Sequence, residues 1–512
     1  MAIFNLFDLR RGWTPSAALA VAVLLLAGCG TPVVNPVTGR TERSAMDEAT
    51  EIAEGKKAHQ QVLAEYGVLD NPKLQAYVNN LGQRLAAQSH RANLQWTFTV
   101  LDSPEINAFA LPGGYVYVTR GIMAYLDSEA DLAGVIGHEL GHVTARHGAQ
   151  RATSQQNAGL GVLAATVLGV VVEGATGVRG AAQAASQIGQ GVAAGRLASY
   201  SRDQETQADE LGAEYLSRTR YNPRNMVDVI LVLKNQERFV ADQAKAEGRA
   251  VAAGGNWLAS HPSNDKRLAD IQQVAATYTG SYGDDGRDRY LRAIEGLPFG
   301  DSAAQGLTRG RNFYHADLGF AITAPVGWQV RNSAEALMLV NGAGDAGLIL
   351  RPVPPKAGST HEEIIRNVVK PTDGRSEARS LNGLAATHFV GTRRNEQGQA
   401  LGVNLSIVTG PGNHHYLLQY AGKDAAALQR AAGSLVEAES SFRALTAADR
   451  QAARPWALRT VAYPRGGFAD LARGSPLATQ AEATLRLLNG VYGGGAEPAV
   501  GSPVKVVQQA AP

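Results

Sequence analysis

SEADLAGVIGHELGHVTARH, residues 128–147, has the marks of one helix carrying a metal-binding pair. Ser128 followed by Asp131 has the spacing of a capping box, and Gly148 suits the far end, so the pattern predicts a helix running to about His147. Within it His138 and His142 stand at i and i+4, a turn apart on one face, where two imidazoles can hold one zinc ion at about 2.0 to 2.1 Å. Glu139, beside the first of them, is placed to take a proton from a water at the metal and so to act as general base. Leu132, Val135, Ile136 and Val143 trace an apolar arc at about 100° per residue, and Glu139 falls inside it. A carboxylate on a core-facing stripe costs several kcal/mol unless a charge compensates it, and a divalent cation would do so.

A catalytic zinc normally has three protein ligands plus water. The chain has one cysteine, so no thiolate cluster can form and the donors must be His and carboxylates. A metzincin would need Gly at 145 and His at 148, where Ala145 and Gly148 stand; His147 reads as a cation complementing the helix end. Glu205-Thr206-Gln207-Ala208-Asp209 offers two carboxylates at i and i+4, on the same face as Gly212 and flanked by Ala208, small residues that permit close approach of a second helix. Glu205 would complete a His, His, Glu set for one zinc per chain, and Asp209 would accept a hydrogen bond from a ligand imidazole. Such acidic pairs are as common on solvated helices, so by itself this segment supports either reading.

The flanks supply the rest of a domain over 46–300. Helical patterns at 47–66 and 72–88, the latter opened by Pro72, precede β segments at 95–101, 107–111 and 115–119. The run from Asn107, Ala108 and Phe109 through the Gly113-Gly114 turn would present a sheet edge to which an extended peptide could add. Residues 158–200 are rich in Gly and Ala and read as an insertion packed as a hairpin or closing as a lid. Beyond 300, short β-like runs with helical patterns at 361–369 and 425–442 predict an α+β domain over 310–446. The 512 residues thus suit several domains, and a net charge of +2 offers no broad field for nucleic acid.

Arg10-Arg11, an apolar run at 17–27 too short to span a bilayer, and Leu26-Ala27-Gly28-Cys29 resemble the leader and lipobox of bacterial lipoproteins. That resemblance implies a signal peptide at 1–28, lipid on Cys29, a tether over 29–45 and a periplasmic address. Gly30, where an aspartate favours inner-membrane retention, points to the outer membrane.

HExxH with E-x-x-x-D, the upstream 107–114 stretch, and Ser260-His261-Pro262 with Arg267-Leu268 together resemble the gluzincin family that includes CaaX prenyl proteases. Asn35-Pro36-Val37-Thr38-Gly39-Arg40 is similar to the periplasmic lipoprotein branch concerned with quality control of outer-membrane assembly. The similarity covers 35–274 and implies a mainly α-helical zincin-type metallopeptidase domain with a small β-sheet, ahead of the α+β domain and a small C-terminal module. It implies His138, His142 and Glu205 as zinc ligands, Glu139 as general base, Asp209 behind a ligand, and His261 beside the metal as a regulatory or fourth ligand. Read alone, His261 is a loop residue before a helix starting near Asn264. Residues 455–492 resemble a degenerate LysM module, which implies peptidoglycan as a partner, and 493–512 read as a disordered tail. The leading expectation is a zinc endopeptidase for unfolded or misassembled envelope proteins. A chaperone-like assembly factor with latent protease activity and a peptidoglycan-binding lipoprotein with a relic site are the alternatives; the intact Glu139 argues against the last.

Overall fold

The computed structural model describes residues 31–154, 200–246, 261, 265–333, 336–395, 398–477 and 480–510. The leader at 1–28, Cys29 and the Gly/Ala-rich stretch up to 199 lie outside the described residues. Among those described, no helix is long and apolar enough to cross a membrane.

Residues 31–44, read from sequence as a tether, form instead an antiparallel hairpin of β1 (Thr31–Val34) and β2 (Thr41–Ser44). The polar, Pro-broken sequence hides this because one buried side chain makes the turn. Asn35 accepts from the Val37 and Thr38 amides with Oδ1 at 3.0 and 3.2 Å, and its Nδ2 donates 3.2 Å to the distant Ala145 carbonyl. Helices α1 (Glu48–Tyr66) and α2 (Pro72–Ala86) follow, capped by Asp47 and Asn71. The apolar face of α2, with Leu74, Val78, Leu81 and Leu85, covers a sheet of β3 (Thr97–Leu101), β4 (Ala108–Leu111) and β5 (Tyr115–Thr119). Its order is β3-β5-β4, parallel then antiparallel, which leaves β4 at the edge.

After α3 (Arg120–Tyr125) comes α4 (Glu129–Thr144), buried along its whole length and capped by Ser128, which accepts from the Asp131 amide at 3.0 Å. It ends about a turn earlier than the sequence predicts, because Arg146 turns the chain with a left-handed φ of 62°. Across it lies α5 (Arg202–Arg218), opened by a full capping box of Ser201 and Gln204. The two backbones nearly touch. A Cβ on Gly137 would stand 3.3 Å from the Gly212 backbone, and one on Gly141 would stand 3.0 Å from that of Ala208. Helices α6 (Asn225–Ala246), α7 (Asp265–Thr277) and α8 (Arg287–Ala293) complete this part.

The next region is built on a seven-stranded antiparallel sheet. The short strands β6 (Pro298–Phe299), β7 (Leu307–Arg309), β8 (Asn312–His315) and β9 (Phe320–Thr323) lead into it. The sheet itself contains β10 (Gln329–Asn332), β11 (Leu337–Val340), β12 (Ala346–Pro352), β13 (Asp373–Leu381), β14 (Leu384–Arg394), β15 (Ala400–Thr409) and β16 (His415–Gly422), in the order β10-β11-β12-β16-β15-β14-β13. The hairpin of β13 and β14 has no counterpart in the sequence reading, because β13 is exposed nearly throughout and carries no apolar alternation; pairing with β14 makes it a strand. Residues 361–369 form one α-turn, α9 (His361–Ile364), continued as a π-turn, and α10 (Ala425–Ser440) packs on the opposite face.

After β17 (Arg443–Ala444) and α11 (Ala447–Ala452), the chain ends in β18 (Trp456–Ala462), α12 (Gly467–Arg473), α13 (Ala481–Leu488) and β19 (Pro503–Gln509). The disordered tail expected over 493–512 is therefore corrected, since 503–509 pairs antiparallel with β18. Val504, Val506 and Val507 are buried in the same core as α4. Lys505, 1% exposed, donates 2.6 Å to the Leu126 carbonyl and pairs with Asp127 at 3.0 Å, just before α4 begins. An amphipathic run this short reads as tail without its partner strand, which lies more than forty residues back.

Ending the chain at Gly501 removes three buried valines worth about 1.5 to 3 kcal/mol each, so the shortened protein is expected to unfold at distinctly lower denaturant concentration. A pH effect is built in as well. Burial pushes the Asp131 carboxyl up to about 7, despite the hydrogen bond from Asn225. Because the folded value lies above the unfolded one, the stabilising proton is fully held below about pH 4 and its contribution is lost as pH rises through 7. Asp131→Asn should flatten the fall in Tm between pH 5 and pH 8.

Candidate metal centre

Burial strips water from every group where α4 and α5 cross. His138 and His142 on α4 and Glu205 on α5, together with His261, present ligand atoms that all lie within 4.8 Å of one another. Each of the four is at most 2% exposed. Glu139, 1% exposed, lies beside them, its Oε1 3.7 Å from His261 Nε2.

The partners outside the cluster fix which ring nitrogens carry protons. Asp209 Oδ1 is 2.9 Å from His138 Nδ1. Burial alone would raise the Asp209 carboxyl, but Arg267 and His138 hold it down at about 2, so it stays ionised and can only accept. His138 therefore donates from Nδ1 and turns the Nε2 lone pair inward. A second chain of contacts does the same for His142. His147 Nε2 donates to Gln207 Oε1 at 2.9 Å, leaving His147 Nδ1 to accept from His142 Nδ1 at 2.9 Å. His142 Nε2 then also faces inward, 3.1 Å from His138 Nε2. Two ring nitrogens facing each other at that distance need a proton or a cation between them, and a metal ion would serve both at once, so this donor set fits one. His138, beyond the depressing effect of burial, is held above the ordinary histidine range by Asp209 and Glu205, whereas His142 falls well below it through burial and its imidazole neighbours.

His147 corrects one expectation. The sequence suggests a helix-end cation, yet burial lowers it to about 4, so it is neutral, and its contact is with the ring of His142. His261, ambiguous from sequence, is brought fully into the cluster: its Nδ1 donates 2.9 Å to Glu205 Oε1 and lies 3.2 Å from His138 Nε2.

Two further side chains went unassigned in the sequence. Arg267 on α7 grips Asp209 with Nε and Nη2 at 2.5 and 2.8 Å, and its Nη1 lies 2.9 Å from Glu205 Oε2. Burial would raise Glu205, but His261, His138 and Arg267 together bring it below the usual range. Tyr200, just before α5, stacks on the His142 ring with centroids 3.9 Å apart. Arg267 figured in the sequence only through the resemblance carried by Ser260-His261-Pro262 with Arg267-Leu268, which gave it no role; Tyr200 offered no signal. Edge strand β4 passes close by, since Ala110, Leu111 and Pro112 line a cavity of about 40 Å³ together with His142 and Tyr200.

Residues 72–275 match the sequence model of Peptidase family M48. The matched segment, and not the rest of the chain, is thus similar to that family. The chain is 29% identical over 246 residues to the Beta-barrel assembly-enhancing protease of Yersinia pestis, an alignment covering 47% of each protein. It is 27% identical over 303 residues to the protein of the same name from Escherichia coli strain K12, covering 57% of each. It is also 31% identical over 207 residues to Mitochondrial metalloendopeptidase OMA1 of Arabidopsis thaliana, covering 40% of this chain and 37% of that one. It spans about half the length of the first two relatives.

Arg267→Met leaves two buried carboxylates short of their cation. It is expected to cost about 3 to 5 kcal/mol, read as a lower Tm in both zinc-loaded and zinc-stripped protein.

Proposed function

We propose that the chain is a zinc-dependent endopeptidase that cleaves unfolded or misassembled envelope proteins. The observation carrying this reading is the convergence of His138, His142 and Glu205 ligand atoms in a buried site with Glu139 alongside. These three would hold the ion, with His261 as a fourth donor or regulator beside them. A bound zinc ion supplies Lewis acidity that polarises a peptide carbonyl and eases loss of a proton from water. Glu139 takes that proton on its carboxylate and returns it to the departing amine nitrogen. Asp209 keeps His138 in the right tautomer and orientation, and His147 does so for His142.

The backbone of β4 is the natural seat for a substrate. Its outer side is unpaired among the described residues, so an extended peptide can add there by main-chain hydrogen bonds. Asn107, Ala108 and Phe109 begin that edge, while Gly113 and Gly114, with φ of 84° and 102°, close it; a Cβ on Gly113 would stand 2.8 Å from the Ile52 backbone. Main-chain binding asks for an extended segment more than for a particular sequence, which favours unfolded chains. The periplasmic, outer-membrane address rests on the lipobox at Cys29, and the envelope substrate on that address and on the likeness to proteins named for β-barrel assembly. The β-α-α-β order of 456–509 is compatible with a glycan-binding LysM-like role for this module.

Glu139→Gln is expected to retain zinc while cleaving an unfolded casein-like chain about 100- to 10,000-fold more slowly, and Glu205→Ala to lose the zinc itself. Elemental analysis beside a cleavage assay reads both outcomes. Equal cleavage of compact folded proteins and unfolded chains by the wild type would refute the edge-strand account of substrate choice.

A further inference from the structure

The seven-stranded sheet has two unlike faces. One is sealed by α10, with Leu337, Leu339, Leu348 and Leu418 packed beneath it. The other is covered only in part, by the short helix at 361–369. Beside that helix lies a cavity of about 260 Å³. Val403, Leu405 and Leu417 lie on the neighbouring strands β15 and β16, and Val369 of the helix lines the cavity with them. Pro352 and Pro354 border the same cavity, and their fixed φ angles restrain the chain there against collapse into it.

The same cavity is lined by two arginines, Arg351 of β12 and Arg393 of β14. Both are exposed, and neither has an ion-pair or hydrogen-bond partner among the described residues. Arg366 and Lys370, beside the cavity on the helix and just after it, are likewise exposed without partners. Of the carboxylates nearby, Glu363 accepts from the Ser359 and Thr360 amides and faces Arg366, Glu377 pairs with Arg379, and Glu362 lies beside Arg366 and Lys370 outside the cavity. An apolar recess whose own lining holds two arginines and no carboxylate suits a ligand with an apolar stem and an anionic head. At about 30 Å³ per water, the volume equals roughly nine waters, room for one medium-length chain and not for two.

We propose that this cavity binds the single apolar chain of an anionic amphiphile, its carboxylate or phosphate held by Arg351 and Arg393. A free fatty acid and an anionic bilayer lipid share this chemistry. In the test, full-length protein is titrated with decanoate below its micelle concentration, with decanol as the uncharged control, and sedimented with phosphatidylglycerol or phosphatidylcholine vesicles. Saturable decanoate binding, at least tenfold weaker in Arg351→Glu/Arg393→Glu and in the cavity-filling Val368→Trp, supports the proposal. Selective sedimentation with the anionic vesicles, lost in the same variants, assigns the source to bilayer lipid; decanoate binding without it assigns the free acid. All these positions are exposed, so the variants should keep the wild-type Tm. Equal binding of decanol and decanoate, unchanged affinity in the charge-reversed variant, or tighter binding of an apolar peptide with a free C-terminal carboxylate overturns it.

Discussion

Contact between two helix backbones is the constraint on which the site depends. Gly137 and Gly141 on α4 face the Gly212 and Ala208 backbone on α5, where a Cβ would come within 3.0 to 3.3 Å of the opposite chain. That approach sets Glu205 and Asp209 against the imidazoles of α4, with Glu205 Oε2 3.6 Å from His138 Nε2 and Asp209 Oδ1 2.9 Å from His138 Nδ1. Once the helices are that close, the carboxylates and the His138 and His142 rings must share a volume from which water is excluded. Each charge there needs a partner, and the remaining architecture supplies them: Arg267 from α7, the donor His261, and the neutral relay through His147 and Gln207.

The partners do more than neutralise. Asp209, which Arg267 and His138 hold near 2 against burial, stays a carboxylate at neutral pH and orients the His138 ring by accepting from Nδ1. The relay through Gln207 and His147 orients His142 by hydrogen bonding instead of charge. Two unlike devices thus aim two Nε2 lone pairs at one point. That redundancy is understandable for a buried pair whose rings, wrongly protonated, would oppose each other and any cation.

Much of this was legible because it is local. The i, i+4 histidines, the capping Ser128, the small residues of α5 and the strands around 108–119 are patterns within a few residues, and helix or sheet periodicity reads them. What escaped depends on distance along the chain. Arg267 lies 58 residues from Asp209, and an arginine on an amphipathic helix reads as solvated until its partner is known. Asn35 is tied to Ala145 across 110 residues, so its hairpin passes for a linker. Lys505 and its flanking valines become a strand only when β18 lies beside them, and β13 has no apolar pattern at all. His147 shows the converse failure: its position suits a dipole-complementing cation, and burial reverses the protonation state that position implies.

The segments that looked peripheral in sequence meet the active-site helix at both ends. Asn35 bonds the carbonyl at the C-terminal end of α4, and Lys505 bonds the Leu126 carbonyl and Asp127 at its N-terminal end. The 456–509 module shares the hydrophobic core of α4, whereas the seven-stranded sheet packs around cores of its own. A helix that must hold two imidazoles to within a fraction of an ångström benefits from being fixed at both termini, since fraying of either would tilt the face that carries them. The module is thus part of the frame of the site. The accessory sheet, with its separate cores, is free to serve a ligand of its own without disturbing that frame.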